Sequence, residues 1–249
     1  MCVFIKPKRL LACLDLKGGQ VVKGIRFGQL QISGDPVSLA NVYADQGVDE
    51  LVCLAIAARS EKRALLAKTI TEISKAVSIP VTVGGGIDCL SDVKDVLAWG
   101  ANKIVLGTAA ILNPQIIEEA AALSPVILSI DAMATNSGWE VYSHGGRRTT
   151  GMEAVKWALQ GQRLGASEIL LTSIDRDGTR DGYDLQLLTI VCSEVRIPII
   201  ASGGAGRPEH LLQAIEAGAE AVLVASMLHS GKWTAAGLKK QLCLKEVQI

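Results

Sequence analysis

Eight short, nearly continuous apolar runs recur along the 249-residue chain: Leu10–Asp15, Glu50–Leu54, Pro80–Val83, Lys103–Leu106, Val126–Ile130, Glu168–Thr172, Ile197–Ala201 and Ala221–Val224. Runs of this length, rich in Val, Ile and Leu, are typical of strands covered on both faces. Between them the apolar period becomes helical. The segment from Ser60 opens on a hydroxyl cap and charged residues, then repeats apolar positions at helical spacing. Pro208 starts PEHLLQAIEAG and Gly218 ends it, and LSDVKDVLAWG closes on Gly100 in the same way. This alternation predicts an α/β protein, a single (β/α)8 TIM barrel domain over 1–249. A doubly wound open sheet is the other architecture it allows. Two connections, Leu16–Pro36 and Ala132–Gly151, are long and rich in Gly and basic residues, so they read as binding loops or lids.

The pattern also repeats at half its length. IPVTVGGGIDCL from Ile79 and IPIIASGGAGRP from Ile197 lie 118 residues apart, and the same offset relates Gly47 to Gly165 and Gly100 to Gly218. LLACLD ends in Asp15 and VILSID in Asp131, 116 residues apart. Two matching halves close naturally into a ring, which favours the barrel. A duplicated half that keeps a Gly-rich turn and an Asp predicts two anion sites facing each other, with two carboxylates between them. Such a pocket suits a ligand with a phosphate at each end.

Composition narrows the class. Hydrophobic residues make up 49% and aromatics 4%, so the core is aliphatic, as in a parallel barrel. A formal net charge of zero argues against nucleic acid or an anionic membrane as the main partner. No apolar run reaches the ~18 residues of a membrane span, and MCVFIKPKRL lacks a signal-peptide pattern. The six cysteines contain no CxxC pair, so zinc and disulfides are not expected and a reducing cytoplasm is the default compartment. Nothing calls for a metal or cofactor.

The candidate chemistry gathers at strand ends, where barrel enzymes work. Asp15 and Asp131 form an acid/base pair if their environments separate their pKa values. Gly84, Gly85, Ser202, Gly203 and Gly204 follow strands and precede helices, so their amides can approach an anion. Their expected partners are the turns one strand later, Gly107-Thr108 and Ala225-Ser226. The run from Leu171 to Asp184 is the densest polar cluster. Within it Thr172 and Ser173 are expected to bond substrate hydroxyls and Asp177, next to Gly178, to hold a ribose or polarise a reacting group. Lys23 is a candidate cation in the first long loop, and His144 a candidate substrate contact, whereas His210 and His229 read as surface or polar-network residues. At the opposite strand ends Arg9, Glu50, Lys103 and Glu168 are expected to begin alternate strands, converge on the barrel axis and pair, as a plug or a gate.

From about Lys8 to Leu242 the chain resembles the cyclase subunit of imidazole glycerol phosphate synthase. The strings that carry the resemblance are ACLDLKGGQVVKG, GDPV, VGGGI, SIDA, LLTSIDRDGTRDGYD and IIASGGAG. The resemblance implies conversion of a bisphosphorylated ribulosyl-formimino aminoimidazole carboxamide nucleotide, with ammonia, to imidazole glycerol phosphate and an aminoimidazole carboxamide ribotide. It implies a separate glutaminase subunit at the N-terminal face, forming a heterodimer, with ammonia rising along the barrel axis. It makes Asp15 and Asp131 the acid/base pair, Lys23 the mobile-loop lysine, and Gly84, Gly85, Gly203, Gly204 and Ser226 phosphate contacts. Asp177 becomes a substrate contact, and Arg9, Glu50, Lys103 and Glu168 the ammonia gate. The chain departs from the family pattern at Ala55, Gly107 and Met133, where Asp, Asn and Lys are usual, and at Asn102, where an acidic residue is common. Two other functions fit a family paralogue: an ammonia-channelling glutaminase partner for another pathway, and the related sugar isomerase, which needs no ammonia.

Overall fold

The computed structural model describes residues 8–25, 28–56 and 63–244. In chain order the strands are β1 (Arg9–Lys17), β2 (Gln20–Ile25), β3 (Gly28–Gly34), β4 (Glu50–Ala55), β5 (Val81–Gly84), β6 (Lys103–Leu106), β7 (Val126–Thr135), β8 (Gly138–Ser143), β9 (Arg148–Glu153), β10 (Glu168–Ser173), β11 (Ile199–Ser202) and β12 (Ala221–Val224). Eight of them pair in parallel in the order β1-β4-β5-β6-β7-β10-β11-β12, and β12 returns to β1, closing the ring. Helices lie between consecutive barrel strands, so the fold is a (β/α)8 TIM barrel. Each half contributes six strands, β1 to β6 and β7 to β12, which is the duplication seen in the sequence.

The long connections are not loops. β1 and β7 run past Asp15 and Asp131 and fold back as antiparallel hairpins, β1-β2-β3 and β7-β8-β9. QVVKGI and GWEVYS supply their return strands, whose content of Gly and charge is that of loops. The helix expected from Ser60 is described from Arg63 to Ala76, and its proposed cap lies outside the described residues. The helices Leu90–Ala98 and Pro208–Glu216 form where their terminal signals place them. No helix among the described residues is long and apolar enough to cross a membrane.

Period-2 alternation splits the core in two. Outward residues of the barrel strands, such as Leu10, Ala12 and Leu14 of β1, pack against the helices. Inward residues form a second, smaller cluster along the axis: Leu11, Cys13, Val52, Val105, Ile127, Leu170, Ile200 and Leu223 among them. Cys13 and Cys53 are buried free thiols, as expected for small apolar residues. The apolar axial layer separates a charged floor from a polar mouth.

Candidate functional site

At the mouth, the ends of the strands enclose a cavity of about 660 Å3. Alternation decides what faces it. On β1, Arg9, Leu11, Cys13, Asp15 and Lys17 share the inward face, so Asp15 and Lys17 reach the cavity wall. On β7, Ile127, Ser129 and Asp131 do the same. β1 and β7 are four places apart in the eight-strand ring, so Asp15 and Asp131 stand on opposite sides of one mouth. Lys23, Thr108, Thr172, Asp177, Gly178, Ser202, Gly203, Gly204, Ala225, Ser226 and Gly85 also line it.

Two expected contacts do not. Ser173 is next to Thr172 on β10 and therefore faces outward; it is 1% exposed and its hydroxyl donates to Asp184 Oδ2 at 3.4 Å. Gly84 faces inward but lies below the cavity, where an added Cβ would come within 2.6 Å of Val105 Cβ. Its missing side chain makes room for the axial cluster. The turn itself begins at Gly85 (φ 83°), and its counterpart is Gly203 (φ 87°); both use the left-handed region that favours glycine. In each half this turn and the start of the short helix one strand later form a cup of backbone donors: Gly85-Gly86 with Gly107-Thr108, and Gly203-Gly204 with Ala225-Ser226. β5 and β11 are four places apart in the ring, so the cups also oppose each other.

The two aspartates differ electrically. Asp15 Oδ2 accepts from Lys23 Nζ at 3.1 Å, and Cys13 Sγ lies 3.3 Å from Oδ1. Lys23 Nζ is also 3.7 Å from Asp177 Oδ1. Burial works to lower the Lys23 pKa, but the Asp15 and Asp177 carboxylates overcome it and raise it well above the usual lysine value. Asp131 has no ion-pair partner among the described residues. Burial, with a smaller push from the Asp177 charge, raises its pKa to about 7. A carboxyl poised there exchanges protons near neutrality.

At the floor, Lys103 Nζ bonds Glu50 at 2.7 Å and Glu168 at 2.8 Å, while Arg9 bonds Glu50 at 3.3 Å and also pairs with Glu168. The four expected residues therefore meet in one closed ring, to which Thr82 adds a hydroxyl donor on Glu50. They do not start alternate strands: β1 and β4 are neighbours. The register, with Leu11 beside Glu50, sets Arg9 two residues lower, and its long side chain spans the difference.

Of the departures, Ala55 and Gly107 line the cavity. A Cβ at Gly107 would meet nothing closer than Ser129 Cβ at 3.6 Å, so space for a side chain exists. Met133 lies on the extended part of β7 opposite Glu140. Asn102 Oδ1 accepts the Val81 N–H at 2.8 Å, a strand-joining role. His144 lines the cavity. His210 is not a surface residue; it is 3% exposed and accepts from the Gly206 N–H. His229 joins a polar pair with Tyr43 at 2.7 Å. The reading of the sequence missed Lys17, Asp88, Ser129, Arg147 and Arg180 in the cavity wall. The signal for Lys17 and Ser129 was present, since each is two residues from a candidate Asp on the same strand.

A barrel whose duplicated halves each bring one carboxylate and one Gly-rich turn to a shared mouth defines a (β/α)8 architecture of the kind enzymes use. Comparison with known proteins specifies it further. Residues 9–234 match the histidine biosynthesis protein family. The imidazole glycerol phosphate synthase subunit HisF of Thermococcus onnurineus is 46% identical over 97% of this chain and 97% of its own. That of Pyrococcus furiosus is 44% identical over 97% of this chain and 98% of its own, and that of Metallosphaera sedula 46% identical over 90% and 91%. The chain belongs to the histidine biosynthesis protein family, in its HisF branch.

Proposed function

We propose that this chain is the cyclase of an imidazole glycerol phosphate synthase: it converts the bisphosphorylated ribulosyl-formimino aminoimidazole carboxamide nucleotide and ammonia to imidazole glycerol phosphate and aminoimidazole carboxamide ribotide. The observation that carries this reading is the pair of opposed aspartates in one cavity, one salt-bridged to Lys23 and the other with a carboxyl pKa near 7. Asp131 donates a proton to the substrate's keto oxygen as ammonia adds to the keto carbon. Asp15 takes a proton from the added nitrogen, the former keto oxygen leaves as water, and the pair then assists ring closure on the formimino carbon and cleavage of its C–N bond to the departing aminoimidazole ribotide. Lys23 offsets negative charge beside Asp15 and Asp177. The two amide cups hold the terminal phosphates, with Asp177 and Thr172 on the hydroxyls between them.

A glutaminase subunit docks on the N-terminal face and supplies ammonia through the floor. The Arg9–Glu50–Lys103–Glu168 ring closes that route here, so the gate opens by parting at least one of these pairs. The test bypasses the glutaminase: substrate consumption is followed with ammonium at alkaline pH. Turnover by the natural chain and its loss in both Asp15→Asn and Asp131→Asn support the proposal. Full turnover in both variants removes the acid/base assignment, and no turnover in the natural chain removes the reaction.

A further inference from the structure

Among the described residues only two amino acids other than glycine hold a left-handed backbone: His144 (φ 57°) and Arg180 (φ 66°). That conformation is unfavourable for a residue with a side chain and persists where neighbouring contacts impose it. Both residues line the cavity, and each belongs to a loop fastened to a different amide cup. His144 opens the β8–β9 turn, and its N–H donates to Thr108 Oγ1 at 2.8 Å. This ties the turn to the first-half cup and brings Arg147 to the cavity wall. Arg180 lies in the loop after β10. There the Gly182 N–H donates to the Gly204 carbonyl at 2.8 Å, and a Cβ on Gly206 would lie 2.3 Å from the Arg180 carbonyl oxygen. This loop is thereby pressed onto the second-half cup.

Each cup thus has beside it a loop that brings one arginine to the cavity wall and is strained at His144 or Arg180. Neither guanidinium has a carboxylate partner among the described residues, whereas Lys23 in the same cavity is held between two. Backbone amides alone leave most of a phosphoryl group's charge uncompensated, and the planar guanidinium fork matches its oxygens. We propose that Arg147 and Arg180 are specificity-determining residues, Arg147 closing on the phosphate in the first-half cup and Arg180 on the phosphate in the second-half cup. The inference rests on the proposed reading that the substrate is phosphorylated at both ends.

The experiment compares the natural chain with Arg147→Gln, Arg180→Gln and Arg180→Gly in the ammonium-driven reaction. Glycine takes up φ 66° without strain, so Arg180→Gly separates loss of the guanidinium from a folding defect. Each variant is expected to raise KM about tenfold or more, as loss of a charge-assisted hydrogen bond does, while kcat changes little. Each product carries one phosphate, so product inhibition assigns the ends: Arg147→Gln weakens inhibition by one product, and both Arg180 variants weaken inhibition by the other. An unchanged KM in the variants, or weakening of the same product by both positions, overturns the proposal. Titration with inorganic phosphate separates the two readings. A natural chain that binds two equivalents but turns over no substrate, with one equivalent lost in each variant, ends the reaction assignment and leaves the arginine assignment standing.

Discussion

The two halves of this barrel place an aspartate at the same inward position of the same strand, and the hairpins that follow make the two groups different. In the first half Asp15 pairs across the hairpin with Val22, and the next residue, Lys23, returns its ammonium to the Asp15 carboxylate. In the second half Asp131 pairs with Tyr142, and the next residue is Ser143, which is 6% exposed and donates to the Arg148 carbonyl instead. One register position, lysine in one half and serine in the other, leaves one carboxylate salt-bridged and lets burial push the other to about 7. Duplication supplies two similar acids, and divergence beside them turns similarity into a division of labour.

The comparison breaks most simply at the acids themselves. Asp15→Asn and Asp131→Asn are each expected to lower kcat/KM for the ammonium-driven reaction by about 10²–10⁴-fold, the usual worth of a positioned acid or base. If one variant is silent, the halves are not both catalytic. At the floor, where the halves act alike, Glu50→Gln and Glu168→Gln should be comparable to each other. Each strands part of the charge of Arg9 and Lys103, at a cost of about 3 kcal/mol by denaturant titration, less to the extent that both cations reach water. A markedly larger cost at Glu50 would show that Thr82, which bonds only that glutamate, matters as much as the ion pairs.

Much of this was legible in the sequence, because the governing signals are local. Near-continuous apolar runs located all eight barrel strands, with ends displaced by a residue or two except at β7, which runs five residues past Ile130 into its hairpin. The repeat gave the opposed aspartates and cups. The hairpins were masked because QVVKGI and GWEVYS carry the glycine and charge of loops. Ser173 was placed on the wrong face by reading Thr172-Ser173 as a unit, when adjacent strand residues must point oppositely. Gly84 could not be separated from Gly85 without the position of Val105, which lies on the neighbouring strand. Arg147 and Arg180 lay in segments whose basic and polar content pointed to binding, but nothing singled them out, because their direction is set by loop contacts with Thr108 and Gly206.

The raised Asp131 carboxyl also makes a stability prediction. Its folded pKa, about 7, exceeds the ordinary value near 4, so between those limits the folded chain holds a proton that the unfolded chain has lost. The stability it contributes is fully present below the lower value and is lost as pH rises through the upper one. Between pH 5 and pH 8 this loss amounts to roughly 2–3 kcal/mol. Asp131→Asn, which cannot ionise, should therefore gain on the natural chain by that amount as pH is raised over this interval. Parallel unfolding curves for the two chains would mean that Asp131 ionises as an ordinary carboxyl and that the halves do not differ electrically.

The finest test exchanges the residue that makes the halves differ. Lys23→Ser gives the first hairpin the residue type found at the matching place in the second, and removes the cation 3.1 Å from Asp15. Without it the Asp15 carboxylate keeps the Cys13 thiol beside Oδ1 but loses its cation. Loss of the ammonium that holds the Asp15 carboxylate in place should lower kcat/KM for the ammonium-driven reaction about tenfold. The basic limb of the pH profile, which Asp131 sets, should stay in place. Lys23→Arg should restore most of the rate, because charge rather than length is what the Asp15 carboxylate requires. A Lys23→Ser variant that keeps the full rate, or a Lys23→Arg variant that fails to recover it, would show that the ion pair with Asp15 is not what the reaction needs, and the asymmetry between the halves would then need another source.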